Sequence, residues 1–259
     1  MKKISLLALN IGNPSLERAE KQCRWLSRRT EDVFVLSETK NSEGCSYIKD
    51  FFSHGTCDLL AGSDGPDYSI NYPVSNGKEL GVMIISKLPI KRNISPLSSS
   101  DAFFGRYAES IIGFGLEDMT LLGLYVPSRD RSGPKIERKK AFIQFVESQI
   151  KSFNGTNSII MGDFNILDRN HFPHYNTFFD WEYGYYDFLI ANGFVDVFRH
   201  CHPSSNEYSW VGRTGDGYRY DYAFISKDLQ KRVSSCQFIH ETRKNGLTDH
   251  SAVSMLLDF

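Results

Sequence analysis

Several short polar groupings in this chain carry residue types that bind metals and phosphates. They are Asn10, Glu38 in Leu36-Ser37-Glu38-Thr39-Lys40, Tyr125, and Asp163 with Asn165 in Gly162-Asp163-Phe164-Asn165. Asp221 in Gly217-Tyr-Arg-Tyr-Asp-Tyr222 and the run Thr248-Asp249-His250 complete the set. Its donors are nearly all oxygen, and its one histidine stands beside an aspartate. Such donors suit Mg²⁺ or Mn²⁺, hard cations that take carboxylates, amides and water, better than zinc. A hard cation with a carboxylate, a carboxamide and a histidine fits phosphate-ester hydrolysis. The cation neutralises phosphate charge, a carboxylate aligns and deprotonates water, and a cationic imidazole stabilises the oxyanion.

Most of these groupings lie at the end of a predicted strand, where loops carry function on a rigid scaffold, while Asp221 sits within one and Thr248-Asp249-His250 precedes the last. Ser158-Ile159-Ile160-Met161 is too short an apolar run for a helix and reads as a buried strand driving into Gly162-Asp163. On extended backbone, side chains two apart share a face, so Asp163 and Asn165 would look into one site. An Asx-turn after the strand is the plainer reading of Asp-x-Asn. Further strands are expected at 4–10, 33–36, 81–86, 108–116, 121–126, 207–211, 218–226, 236–241 and 252–257. Asn13 as N-cap and Pro14 predict a helix whose apolar positions are Leu16, Ala19, Cys23 and Leu26. The longest helix is expected at 136–153, with Phe142, Phe145, Val146 and Ile150 on one face. Another spans 185–192 with Gly193 as its cap, and a short one covers about 47–52. The segment 41–78 otherwise reads as loops. Runs of strands alternating with single helices predict an α/β protein, a four-layer sandwich of two packed mixed β-sheets flanked by helices, as one domain over 1–259.

Composition narrows the partners. The chain has 259 residues, 41% hydrophobic and 24% charged, with a formal net charge of −1. A near-neutral protein meets nucleic acid through a local basic patch and not through global attraction. Cys23, Cys45, Cys57, Cys201 and Cys236 are scattered without metal-ligand spacing, so free thiols in a reducing compartment are expected. No apolar run reaches the length of a membrane span. Met1-Lys2-Lys3 before an apolar run imitates a signal peptide, but the run is short and no cleavage-like site follows, so a first strand is expected. These features point to a cytoplasmic monomer.

Taken singly, each grouping has a structural explanation: Asn10 a cap, Glu38 and Asp249 solvated loop charges, Tyr125 a core aromatic. Their joint order carries more. Asn10, Leu36 to Lys40, Tyr125-Val126-Pro127, Gly162 to Asn165, Arg219-Tyr220-Asp221-Tyr222 and Thr248-Asp249-His250-Ser251 together resemble the endonuclease/exonuclease/phosphatase superfamily, and within it the exonuclease III-type abasic-site endonucleases. Secondary blocks at 81–86, Gly105-Arg106, 193–200 and Tyr208-Ser209-Trp210 agree, and the likeness fails mainly in 41–78 and 166–182. The resemblance implies that Glu38 binds the metal with Asn10 beside it, and that Asp249 serves the metal directly or through water. It implies that Asp163 and Asn165 activate water, that Tyr125 contacts the scissile phosphate, and that Asp221 orients His250. Asp221 and Asp249 exchange these jobs in an alternative reading. Trp210, Tyr218 and Tyr220, with Arg219 among them, would meet the substrate, either as a tight slot for a flipped abasic sugar or as rings offering stacking faces to a base, unless Tyr220 points into the core and serves only packing.

Three positions depart from that pattern. Gly12 stands where many relatives carry an acid or amide, Ser37 replaces a usual glutamine, and Tyr220 replaces an aliphatic residue. A basic cluster, Arg129, Arg131, Lys135, Arg138, Lys139 and Lys140, follows Tyr125 and either tracks a phosphate backbone or is a solvated helix face. The expected activity is metal-dependent hydrolysis of DNA phosphodiesters at abasic sites, with 3′-exonuclease or 3′-phosphatase capacity. The alternatives are the same chemistry on RNA, phosphoinositide or phospholipid headgroups, and a catalytically silent nucleic-acid-binding module.

Overall fold

The computed structural model describes residues 2–53, 68–74, 79–115, 117–152 and 155–259. Its central strands are apolar on both faces, which dictates that something must cover each side. In β1 (Lys3–Asn10), Leu6 and Ala8 turn one way and Leu7 and Leu9 the other, and all four are buried. Strands of that kind need a layer above and a layer below.

The chain supplies those layers in order. After β1 come α1 (Leu16–Leu26), β2 (Val33–Thr39), α2 (Glu43–Ser53), β3 (Ser69–Asn71) and β4 (Gly81–Ser86). Then follow β5 (Ile90–Ile94), β6 (Tyr107–Phe114), β7 (Glu117–Tyr125), α3 (Gly133–Ser152), β8 (Ser158–Asp163), α4 (Asp180–Ala191), β9 (Phe194–Asp196) and α5 (Val197–Cys201). The last are β10 (Trp210–Val211), β11 (Gly217–Tyr218), β12 (Asp221–Ser226), β13 (Val233–Ile239), α6 (Glu241–Lys244) and β14 (Ala252–Asp258).

Two six-stranded sheets result, in the orders β13-β14-β1-β2-β4-β3 and β5-β6-β7-β8-β12-β9, with β10 and β11 as a separate ribbon. Both sheets are mixed: β1–β2 and β7–β8 run parallel and the other pairs antiparallel. A parallel pair needs a crossover, and α1 and α3 provide the two. Residues such as Leu6, Val35, Ile84, Leu121, Met161 and Ala223 fill the space between the sheets. Ala19, Cys23 and Leu26 cover the outer face of the first sheet, and Phe142, Val146 and Tyr185 that of the second. The four-layer α/β architecture expected from the sequence is the one observed.

Several local expectations change. The N-cap of α1 is Ser15, whose Oγ accepts from the Arg18 amide. Asn13 instead has a φ of 40° and accepts from the Ser42 hydroxyl at 2.8 Å, so α2 claims its side chain. The expected strand 218–226 breaks at Arg219–Tyr220 because the buried Ser209 hydroxyl accepts from the amides of Tyr220 and Asp221, at 3.0 and 3.1 Å. The expected strand 207–211 shrinks to β10. Helix α4 starts five residues early, since the Glu182 carboxylate accepts from the Phe179 amide at 2.9 Å. Strands β3, β5 and β9 lie where none was expected, β3 within the segment read as loops. Cys45, Cys201 and Cys236 are free thiols, and Cys57 lies outside the described residues.

Candidate active site

The parallel pairs bring their C-terminal ends to one edge, where the polar groupings meet. In the second sheet Tyr125 is in register with Asp163, and Asp163 with Asp221. Three strands therefore deliver three polar residues side by side. In the first sheet Asn10 pairs with Ser37, one residue before Glu38. Two hydrogen bonds then tie the sheets together across this edge. Asn10 Nδ2 donates to Asp163 Oδ2 at 2.9 Å, and the Tyr125 hydroxyl donates to Glu38 Oε1 at 3.0 Å.

Two backbone devices aim the carboxylates. Glu38 sits at a shift in the β2–β4 register with a φ of 56°. A bulged, left-handed residue redirects its side chain out of the sheet alternation, and a non-glycine residue holds that conformation only when its surroundings enforce it. Gly162, with a φ of 142°, lets β8 press against β7, and a Cβ there would lie 2.0 Å from the Leu124 carbonyl oxygen. Asp163 is thereby drawn to the base of a cleft of about 400 Å³.

Asp163 is 1% exposed, and both its oxygens are held: Oδ2 by Asn10, and Oδ1 by the Asn165 amide at 2.9 Å. The second bond is an Asx-turn, and Asn165 takes a φ of 48° to make it. The plainer reading of Asp-x-Asn is thus correct as geometry, and the turn itself places both side chains on the cleft wall. Beside them His250 Nδ1 donates to Asp221 Oδ2 at 2.7 Å. That bond leaves Nε2 as the imidazole's other nitrogen, in a residue that lines the cleft. Asp249 is engaged elsewhere, accepting from the Trp210 indole at 2.8 Å. The structure thus separates Asp221, on the histidine, from Asp249, on the tryptophan.

Burial would strip the charge from His250, but Asp221, with Asp163 and Asp249 behind it, outweighs burial and lifts its pKa to about 9. Burial and then the Asp221 carboxylate push Asp163 well above the carboxylate range, against the pull of His250. Burial also raises Asp249, yet the Trp210 donor and the His250 charge bring it below its ordinary value. Among the described residues Asp163, Asp221 and His250 place ligand atoms within 4.8 Å of one another. Such a trio has the donors to hold a metal ion as well as the Asp–His pairing of an acid–base group.

The donors around it fit a hard cation. Glu38 and Asp249 line both this cleft and an adjoining recess of about 680 Å³, which Gly12, Arg18 and Thr248 share. Asp221 Oδ1 is buried without a hydrogen-bond partner among the described residues. An orphaned carboxylate oxygen beside a carboxyl whose ionisation is suppressed marks a place short of positive charge.

Of the residues expected at the site, Glu38, Asp163, Asn165, Trp210, Tyr218, Tyr220, Asp249 and His250 line the cleft. Four others stand behind it. Tyr125 is 2% exposed, its hydroxyl occupied by Glu38, so it positions Glu38 where contact with a phosphate was expected. Asn10 is fully buried, with Nδ2 on Asp163 and Oδ1 accepting from the Gly12 amide, so its side chain supports Asp163 where metal binding was expected. Asp221 meets the cleft only through its hydrogen bond with His250. Arg219, expected at the substrate, is 1% exposed and pairs with Asp168 at 2.5 Å and Asp196 at 2.8 Å. It anchors the segment 166–182 from below.

The basic cluster is mostly neutralised. Arg129 and Lys139 converge on the buried Glu182, Arg138 pairs with Glu79, Lys135 with Asp130 and Lys140 with Glu137. Arg131 lines the cleft and has no ion-pair partner among the described residues. Lys139 is 1% exposed and also donates to the Asn165 carbonyl at 2.6 Å, so it supports the Asp163–Asn165 turn from within. Sequence reasoning missed Glu182, Asp168, Asp196, Tyr175 and Phe178. Only Glu182 carried a local signal, an acid three residues after a helix N-cap.

Residues 7–250 match the sequence profile of the Endonuclease/Exonuclease/phosphatase family. An exodeoxyribonuclease of Bacillus subtilis is 24% identical over 257 residues, covering 90% of this chain and 91% of that protein. Among solved structures, an AP endonuclease from Archaeoglobus fulgidus superposes with a TM-score of 0.77 at 20% identity, over 99% of this chain and 100% of the other. The 3′ phosphatase NExo from Neisseria, bound to a product DNA hairpin, gives 0.76 at 19% identity, over 99% and 100%. AP endonuclease LMAP from Leishmania major gives 0.74 at 17% identity, over 100% and 88%. At these identities the superpositions are a likeness of fold.

Proposed function

The chain belongs to the Endonuclease/Exonuclease/phosphatase family, and from that premise we propose that it is a Mg²⁺- or Mn²⁺-dependent phosphodiesterase acting on DNA. The observation that carries this reading is the pairing of a carboxylate held on both oxygens with an adjacent Asp–His dyad. The relatives whose names include a DNA substrate or product support DNA over other phosphate esters. Abasic-site incision, 3′-exonuclease and 3′-phosphatase activities all use this same chemistry.

Glu38 and Asp249 would hold the cation, which when bound supplies charge neutralisation at the phosphate. Asn10 and the Asn165 amide fix the Asp163 carboxylate, which takes a proton from the attacking water. The water oxygen bonds to phosphorus as the opposite phosphorus–oxygen bond breaks. Asp221 keeps His250 protonated and oriented, so that its Nε2–H meets charge developing on a phosphoryl oxygen. Arg131 lines the same cleft and favours an anionic strand.

The test is a substrate panel with Mg²⁺: abasic duplex, intact single strand, RNA, inositol phosphate and sphingomyelin. DNA turnover that EDTA abolishes and Mg²⁺ or Mn²⁺ restores is the expected result. Turnover undiminished in EDTA refutes the metal assignment, and a preference for a lipid or inositol phosphate refutes DNA. Asp163→Asn and His250→Ala should each lose about two to four orders of magnitude in rate while remaining folded.

A further inference from the structure

Trp210, Tyr218 and Tyr220 do not form an open slot. Their ring centroids lie 5.6 Å apart for Trp210–Tyr218, 6.0 Å for Trp210–Tyr220 and 5.1 Å for Tyr218–Tyr220. Aromatic rings in direct contact have centroids about 4.5–7 Å apart, so nothing as thick as a sugar fits between these. Tyr218 and Tyr220 are tilted by only 18° and lie as a stack. The segment 166–182, where the sequence parts from the resembled endonucleases, adds two more rings. Tyr175 stacks on Tyr218 at 4.3 Å and 24°, and Phe178 packs 6.3 Å from Tyr218 and 6.2 Å from Tyr220.

The rings pack on one another as one partly exposed cluster at the cleft, with Tyr218 stacked against both Tyr175 and Tyr220. Trp210, Tyr218, Tyr220 and Phe178 line the cleft, and Tyr175, partly exposed like them, carries the stack outward. The surface is held rigidly. The Tyr175 hydroxyl donates to the Gly217 carbonyl at 3.1 Å, the Trp210 indole to Asp249, and buried Arg219 ties the segment through Asp168. Rigid rings lose little entropy on binding, and sequence-tolerant stacking on such rings is how proteins hold single strands.

We infer that this surface is a stacking platform for unpaired nucleobases, and that the preferred substrate is DNA with an unpaired strand at its reacting end. The inference rests on the DNA reading above and narrows it. A base in a duplex has both faces covered by its neighbours, whereas an unpaired base can lay a face on the platform. A flipped abasic sugar brings no face to stack and finds no gap between the rings. Arg131, lining the same cleft without an ion-pair partner among the described residues, supplies positive charge for the backbone of the stacked strand.

The experiment measures binding by fluorescence anisotropy in EDTA, so that it reads the platform without turnover. The probes are a duplex with an unpaired 3′ tail, and the same duplex whose tail carries base-free tetrahydrofuran residues. Wild type should bind the natural tail about tenfold or more tighter than the base-free one. Tyr175→Ala should remove most of that difference and Tyr175→Phe should keep it. Equal affinity of wild type for the two tails would overturn the platform, and that comparison needs no variant. So would a Tyr175→Ala loss equal on both tails, which marks a packing role. With Mg²⁺, the natural tail should be cut faster than a duplex containing an internal tetrahydrofuran site, and the reverse order overturns the inference while leaving the DNA reading intact. Failure to cut any DNA would instead overturn the DNA reading.

Discussion

Replacing Glu182 by glutamine keeps the shape of the side chain and deletes one buried charge. Glu182 is fully buried and accepts from Lys139 Nζ at 2.6 Å, from Arg129 Nε at 3.1 Å and from the Phe179 amide at 2.9 Å. One carboxylate thus answers two cations, of which Lys139 is almost wholly enclosed. Burial lowers the Lys139 pKa, and Glu182 is the main force opposing that. Breaking a buried pair from one side typically costs about 3–5 kcal/mol. Lys139 has an escape, which is to fold unprotonated. From an unfolded lysine pKa of about 10.4, neutralisation at pH 7 costs about 4.6 kcal/mol, which sets the ceiling on its share. In the variant the unfolded chain then binds the extra proton, so stability rises with pH. The deficit relative to wild type should be about 4 kcal/mol at pH 7 and shrink by about 1.4 kcal/mol for each pH unit until the wild-type Lys139, itself held below its ordinary pKa, also gives up its proton. For a chain of this size that corresponds to about 8–16 °C in Tm at pH 7. Urea unfolding at pH 7 and pH 9 measures both quantities. Lys139→Met combined with Glu182→Gln should recover part of the loss, because the enclosed charge goes with its partner. A deficit under about 1 kcal/mol at pH 7, or one indifferent to pH, would show that Glu182 does not hold these cations.

Gly162→Ala drives a methyl to within 2.0 Å of the Leu124 carbonyl and should destabilise by about 3 kcal/mol or more, read as a lowered Tm; an unchanged melt would refute the close approach of β8 to β7. Glu38→Gln should raise the Mg²⁺ concentration needed for half-maximal rate, and a titration curve identical to wild type would remove Glu38 from the metal site. Burial raises the Asp168 pKa, but Arg219 and Arg199 outweigh it and leave it depressed, so its contribution is complete above about pH 4 and is lost as pH falls through the folded value. Arg219→Met should therefore be less stable at pH 6 and lose less on further acidification to pH 2.5, and parallel urea midpoints across that range would contradict the pairing.

The network around Glu182 also shows how support for the site crosses between elements. Lys139 on α3 holds the Asn165 carbonyl, Glu182 on α4 holds Lys139, and Arg129 after β7 meets the same carboxylate. Three segments converge on the turn that presents Asp163. Arg219 does the same for the aromatic segment through Asp168 and Asp196. Both networks enclose more than one charge, which is stable only when every partner is present.

The sequence by itself determined the α/β layers and the polar edge. Those signals are local: apolar runs short enough for strands, a helix whose apolar positions recur at Phe142, Phe145, Val146 and Ile150, and oxygen donors at strand ends. It also named the residues that meet at the cleft, because polar groups at the ends of neighbouring strands are brought together by sheet pairing. It did not say which face the cleft and which stand behind. Tyr125, Asn10 and Arg219 read as site residues by type, and only packing shows the first two spent on Glu38 and Asp163, and the third buried between two aspartates. The basic cluster read equally as a phosphate track or a solvated helix face until Glu182, Glu79, Asp130 and Glu137 took up most of its charge, two of them from distant segments. The aromatic surface was legible as three tyrosine and tryptophan positions, but its closure needed Tyr175 and Phe178 from a segment without periodicity. Local preference travels with the sequence. Which polar group spends its hydrogen bonds on which partner is settled by contacts between residues tens to hundreds of positions apart, such as Asn10 with Asp163, and only the folded chain makes them.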